Sequence, residues 1–220
     1  MTTQAAEGLR DRKKRQTRAA LSHAAVRLVA EHGLDHVTVE DISAAADVSP
    51  RTFFNYFATK EDAVLGPDPD TGPRVRARVL AQPAELSAAA AVREALSAEV
   101  AAVVAEDREL WLRRMCVVQQ HPVLLAKVFS GGEAVERELV AGIAERVGLP
   151  ADDTYPLLLG AAAGAAFRVA VVRWSSVRWS STAASLQDLL AEAVDMLAGG
   201  LADPPSAQSQ SQSRATSPQS

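Results

Sequence analysis

Apolar residues in this chain recur three and four apart between clusters of glycine and proline and almost nowhere alternate, a pattern that predicts helices and no sheet. The breaks fall at Gly33, Pro50, Gly66 to Pro73, Pro83, Gly131-Gly132, Gly148 to Pro150 and Gly199-Gly200, and most intervals between them have helical length. Ala, Leu, Arg and Glu dominate those intervals, so propensity and periodicity agree on an all-α fold. In residues 12–32, Leu21, Ala25, Leu28 and Val29 share one face, and Gly33 stands where a left-handed terminal residue is wanted. Thr38-Val39-Glu40-Asp41 supplies a hydroxyl cap with an acid three residues on, opening a two-turn helix that turns Val39, Ile42 and Ala46 inward. After a tight connection at Asp47-Val48, Ser49-Pro50 starts a third helix, Pro50 to Phe57, with a capping hydroxyl and a proline at the first helical position. Two short helices joined this closely have the form of a helix-turn-helix.

The third helix divides into two faces. Phe53 and Phe57 can anchor it on a small core with Val48, while Arg51, Thr52, Asn55 and Tyr56 point elsewhere. In a major groove, a guanidinium pairs best with guanine and a carboxamide with adenine. Thr59-Lys60-Glu61-Asp62 caps a fourth helix whose free N–H groups, with Lys60, suit a phosphate. A helical hairpin with an ordinary polar face accounts for the bare spacing as well.

Charge sharpens the picture. The 220 residues carry a formal charge of -4, yet residues 1–60 hold nine Lys and Arg against seven acids, and the remainder fourteen against twenty. Arg10, Arg12, Lys13, Lys14, Arg15 and Arg18 crowd together, which suits a polyanion or, equally, a solvated helix end. The boundaries that follow are a flexible segment 1–9, a helix-turn-helix domain 10–65, a larger helical domain 73–202 and a disordered tail 203–220 rich in Pro, Ser and Gln.

The motifs Val37-Thr38-Val39-Glu40-Asp41-Ile42, Val48-Ser49-Pro50-Arg51-Thr52-Phe53-Phe54-Asn55-Tyr56-Phe57 and Lys60-Glu61-Asp62 closely resemble the DNA-binding domain of TetR-family regulators. The resemblance covers roughly residues 10 to 65. It implies that Thr38, Tyr56 and Lys60 touch phosphate, and that Arg51, Thr52 and Asn55 face bases with Phe54 beside them and Ser49 at the head of the reading helix. It further implies a basic arm before the first helix that enters the minor groove, a homodimer on a palindromic stretch of double-stranded DNA, and a small-molecule effector. Position 51, often glycine in that family, is Arg here, so the operator does not transfer.

Beyond Pro73, stripes run through Val92, Leu96, Val100 and Val103, through Trp111, Met115 and Val118, and through Val135, Leu139 and Ile143, with a bend at His121-Pro122. The resemblance makes Leu96, Val100, Trp111, Met115, Val118, Phe129 and Phe167 candidate lining for a mostly apolar effector; simple core packing is the alternative for each. Arg113 and Arg114 fit an anionic head group or a solvated helix face. Tyr155 to Trp174 forms a long apolar helix centred on Gly160 and Gly164, and Leu186, Leu190, Val194, Leu197 and Leu201 stripe the next. Those two helices offer half of a four-helix dimer seam, with burial inside one subunit as the rival reading. The tandem Arg173-Trp174-Ser175-Ser176 and Arg178-Trp179-Ser180-Ser181 is too short for a repeat architecture.

No uncharged apolar run reaches spanning length, the start lacks a signal-peptide core, and Cys116 is alone, so a cytoplasmic protein without a membrane partner is expected. Enzyme readings find little support: there is no serine elbow, Gly33 separates His32 from His36, and Asp68-Pro69-Asp70-Thr71-Gly72 lacks the later acid of a calcium loop. No metal or cofactor is expected. The function that results is a DNA-binding regulator, a repressor released by a small effector. The alternatives are an activator or ligand-independent regulator of the same fold, or a carrier or enzyme with a vestigial helix-turn-helix.

Overall fold

The computed structural model describes residues 8–130, 132–176 and 185–201. The expected disordered tail, the second half of the Arg-Trp-Ser-Ser tandem and most of the segment 1–9 lie outside the described residues. The described residues form eleven α-helices and contain no strand: α1 (Leu9–His32), α2 (Val39–Ala45), α3 (Pro50–Phe53), α4 (Lys60–Leu65), α5 (Thr71–Ala81), α6 (Ala88–Glu106), α7 (Arg108–Gln120), α8 (Pro122–Ser130), α9 (Glu133–Val147), α10 (Thr154–Ser176) and α11 (Leu186–Ala198). A single 3₁₀ turn, Leu34–His36, joins α1 to α2.

Gly66 to Pro73 does not interrupt helix throughout. Gly66 ends α4 in the left-handed conformation, but Thr71, Gly72 and Pro73 already form the first turn of α5, where a proline has no hydrogen bond to lose. Nor does this segment divide two cores. The cluster built from Leu21, Val26, Ile42, Phe53, Phe57 and Val64 also contains Val117, Val118 and Leu124 from α7 and α8. The N-terminal helices therefore close their core only with residues from the other side of the boundary.

A second cluster packs Val75 and Val79 of α5 against Val92, Leu139, Ile143 and Ala163. One charged clamp binds α5 to α6 beside it. Glu99 is buried to 6% exposure, and its Oε1 accepts hydrogen bonds from Arg74 at 2.6 and 3.1 Å while Oε2 accepts from Arg78 at 3.1 Å. Arg74 also reaches Asp68 at 2.6 Å. The Glu99 hydrogen bonds, followed by those to Asp68, raise the Arg74 pKa against the opposing effect of burial.

The third cluster joins Ala166, Ala170 and Val171 of α10 to Leu186, Leu189, Leu190 and Val194 of α11. The candidate seam residues take part in this packing within the chain. Leu186, Leu190 and Val194 are covered within the chain and Leu197 is half-buried against the same cluster. Gly160 faces α9, where an added Cβ would lie 2.5 Å from Val140 Cγ2, and Gly164 looks toward Arg168 and Glu136. The face of these helices left outside carries Leu157, Leu158, Val169, Val172 and Met196. The Leu186, Leu190, Val194 and Leu197 stripe is the inward face of α11, and α10 is apolar nearly all round, so its periodicity marks no side. By length and composition the stretch Thr154–Trp174 could cross a membrane, with mean hydropathy 1.6; in this fold a third of it is buried against neighbouring helices.

The expected effector lining is divided between two clusters. Leu96, Val100, Trp111 and Phe167 pack half-buried on the third cluster, with Trp111 and Trp174 ring centroids 5.0 Å apart. Val118 is buried in the first cluster and Met115 packs beside it. The Phe129 side chain lies outside the described residues. None of the other six lines either of two described clefts, which lie instead between α1, α2 and α7 and between α6, α10 and α11.

Glu99→Gln should lower stability by about 3 kcal/mol, near the low end for a broken buried ion pair because Arg74 and Arg78 remain partly hydrated. Urea unfolding followed by far-UV circular dichroism checks this, and an unchanged midpoint would show that the clamp contributes nothing.

Candidate DNA-reading surface

The helix-turn-helix is held at its corner by main-chain hydrogen bonds. Val48 N donates to Ser43 O at 3.0 Å and Asp47 N to Ala44 O at 3.2 Å, with Asp47 left-handed at φ 54°. This paired closure ends α2 and delivers Ser49 in an extended conformation, and Asp is among the few side chains that accept such a φ. Ser49 Oγ then accepts from Thr52 N at 3.1 Å and lies 2.9 Å from Thr52 Oγ1. Both hydroxyls are thus engaged with each other.

Burial decides which face of α3 is free. Phe53 is fully buried and Phe57 nearly so, their centroids 5.9 Å apart. Arg51 and Asn55 are exposed, and Phe54 is exposed to 58% while its ring sits edge-on to Phe53 at 5.5 Å. The regular helix is shorter than expected. After Phe53 the chain tightens, with Asn55 N donating to Thr52 O at 3.1 Å and Tyr56 N to Phe53 O at 2.9 Å. Tyr56 is half-buried and packs on the first cluster.

Thr38 closes a reciprocal cap with Asp41: Asp41 N donates to Thr38 Oγ1 at 3.1 Å, and Thr38 N and Oγ1 donate to Asp41 Oδ2 at 2.9 and 2.6 Å. The hydrogen bonds from Thr38 hold the Asp41 pKa below its ordinary value. Lys60 is not a free cation. Its Nζ donates to Leu34 O at 2.7 Å and Val37 O at 2.9 Å, carbonyls at the 3₁₀ turn. The ammonium therefore pins α4 to the approach of α2 and keeps one donor in hand.

Arg18 also departs from expectation. Its guanidinium donates to Tyr56 O and to Pro67 O, both at 3.1 Å, and lies 4.5 Å above the Phe57 ring. It braces the reading helix from within, and burial pulls its pKa down despite Asp68, Asp62 and Asp70 nearby. Arg10, Arg12, Lys13 and Lys14 are exposed on the first turns of α1 itself, so these cations sit on a helix and not on an arm preceding it.

Two cations from the other side of the chain grip α4, and sequence reasoning missed both roles. Lys127 of α8 donates to Thr59 Oγ1 at 2.7 Å and pairs with Asp62 at 2.8 Å. Burial alone would raise the Asp62 pKa, but the hydrogen bonds from Lys127 and Thr59 bring it below its ordinary value. Arg114 of α7 is neither solvated nor free for a head group. Its Nε donates to Val64 O at 2.9 Å and its Nη2 to Ser22 Oγ at 2.8 Å, and desolvation lowers its pKa. Gly66 makes room for it, since a Cβ there would stand 2.7 Å from Ser22 Oγ and 2.9 Å from Arg114 Nη2. These partners lie 92 and 50 residues from Arg114 in the chain, so no local pattern signals them. Among the described residues, no three His, Cys, Asp or Glu side chains are grouped to hold a metal ion.

Family models and several known proteins resemble this chain. Residues 21–65 match the family of bacterial regulatory proteins described as the tetR family, and residues 86–202 match the MftR C-terminal domain. The HTH-type transcriptional regulator TcmR of Streptomyces glaucescens is 35% identical over 173 residues, 76% of each chain. Among solved structures, FadR of Thermus thermophilus, a TetR-family transcriptional repressor in complex with lauroyl-CoA, aligns with a TM-score of 0.49 at 23% identity, over 86% of this chain and 97% of that one. A TetR-family regulator from Mesorhizobium loti aligns with the same TM-score at 18% identity, over 86% and 98%. A buried-phenylalanine hairpin with an outward guanidinium and carboxamide, joined to a second helical domain that matches in its own right, makes this chain a DNA-binding transcriptional regulator of the TetR family.

Proposed function

We propose that the protein is a cytoplasmic repressor that binds a palindromic operator as a homodimer and leaves it when a small, mostly apolar effector is bound. One observation carries the DNA-reading part. Arg51, Phe54 and Asn55, spaced i, i+3 and i+4, share the exposed face of a reading segment whose opposite face is buried as Phe53 and Phe57. Thr38, Tyr56 and Lys60 flank that face and position the backbone of the duplex, while Arg10, Arg12, Lys13 and Lys14 add attraction to phosphate. Ser49 and Thr52, whose hydroxyls already engage each other, serve mainly to aim the helix.

The dimer reading is supported by the outward face of α10 and α11, where Leu158 is exposed to 67%, Val169 to 51% and Met196 to 50%. A contiguous apolar face of this kind is rare on a lone subunit. Two-fold pairing there sets two reading segments for the two halves of a palindrome. The effector reading is supported by the seam of Trp111, Phe167 and Trp174, which are only half-buried between α7 and α10. A ligand that favours a parted seam moves α7, and through Arg114 it moves α4. The shift it produces cannot exceed its differential affinity for the two arrangements.

Selection from a random duplex pool should yield a palindrome. Arg51→Ala and Asn55→Ala should each relax preference at one base pair per half-site, with a loss of about 1–3 kcal/mol. A pool that yields no enriched sequence would overturn the reading. Lys60→Met should weaken binding to every duplex and reduce the salt slope by about 1, and it should also lower stability by about 1–2 kcal/mol because two carbonyls lose their donor. Full stability in urea would show the lysine bonds to be incidental. Leu158→Glu should convert a sedimenting dimer to a monomer and abolish tight operator binding; a dimer that persists would place the seam elsewhere.

A further inference from the structure

Phe54 is anomalous where it stands. Among the described side chains of residues 8–65 it is the one large hydrophobic residue left exposed, at 58%, and its neighbours on that face are a guanidinium and a carboxamide. The chain has apolar partners to offer it: Phe53 and Phe57 of the same segment are buried, and Phe54 touches that core only by an edge-on contact at 5.5 Å. That contact fixes the ring on a short, capped element. Few degrees of freedom then remain to be lost when a partner covers it.

We infer that Phe54 reads the C5-methyl group of a thymine, giving each operator half-site a required thymine next to the base pairs met by Arg51 and Asn55. This rests on the DNA reading proposed above and adds to it the chemistry of one position. Arg51 and Asn55 can satisfy donors and acceptors on base edges; a phenyl ring can satisfy none. The major-groove edge of a duplex presents a single apolar group, the thymine methyl, and apolar side chains are the ones that recognise it. A ring bracketed by a hydrogen-bonding residue three positions before and another one position after meets base edges whenever they do. Contact with the methyl removes both apolar surfaces from water, whereas cytosine at the same place offers an amino group that the ring cannot pair and would desolvate. Phe54 thus discriminates against cytosine by leaving a donor unsatisfied as well as by the attraction it gains.

The test uses the full chain and the operator obtained by selection, with thymines replaced one at a time by deoxyuridine, which removes only the methyl group. Fluorescence anisotropy should show one position per half-site where the replacement weakens binding by about fourfold, the effect of one buried methylene-sized group. That position should adjoin a base pair whose preference relaxes in Arg51→Ala or Asn55→Ala. Phe54→Ala should bind the thymine and deoxyuridine duplexes equally, while Phe54→Leu, still apolar, should keep part of the difference. Circular dichroism of both variants reports their fold. Deoxyuridine tolerated at every position by the unaltered protein, or a methyl effect that survives in Phe54→Ala, would overturn the inference while leaving DNA reading by Arg51 and Asn55 in place. Failure to bind any duplex would remove both.

Discussion

The burial of one guanidinium whose hydrogen bonds run to a main-chain carbonyl and a hydroxyl organises this molecule. Arg114 leaves α7, passes the empty side of Gly66 and gives its protons to Val64 O at the end of α4 and to Ser22 in the middle of α1. A charge taken out of water needs hydrogen bonds in fixed directions, and here those directions point into two different helices of the DNA-reading unit. The carbonyl end of α4 carries partial negative charge and adds to the attraction of Asp107 and Glu106 for the cation. Because the cation tolerates few geometries, it transmits position well: α1, α4 and α7 cannot slide independently without stripping it of partners.

Lys127 completes the grip at the opposite end of α4, so a helix of six residues is held at both termini by cations from the larger domain. Apolar packing reinforces both holds, since Val117, Val118 and Leu124 fill the floor of the N-terminal core. In the proposed mechanism, coupling between a distant seam and the reading segment runs through these rigid contacts and needs no separate relay. Arg18 extends the same logic from α1, stacking on Phe57 and fastening the carbonyl of Tyr56.

Local features of the sequence were legible because they are caps, breaks and faces. The Thr38–Asp41, Ser49–Thr52 and Thr59–Asp62 caps, the positive-φ exits at Gly33 and Gly66, of which only Gly66 is left-handed helical, and the division of α3 between buried phenylalanines and polar neighbours are written within a few residues of where they act. What was not legible is long-range. Lys60, Arg18 and Arg114 read as surface cations in one dimension, and in three they are occupied by carbonyls brought from up to 50 residues away. The outward side of α10 also escaped detection, because apolar residues surround it and no polar stripe marks solvent. The resemblance likewise suggested a chamber lined by Trp111, Met115 and Val118 together, whereas the two turns of α7 between Trp111 and Val118 carry the first to one cluster and the last to another.

The floor of the N-terminal core has a practical corollary for anyone who wishes to transplant this reader. Cut free after Gly66, the first four helices would present an open apolar wound where Val117, Val118 and Leu124 had been, and a buried serine and a helix terminus with nothing to greet them. Operator preference in this chain is consequently not a detachable cassette. A chimera would have to carry α7 and α8 along with it, and evolution, facing the same seam, must alter both sides together.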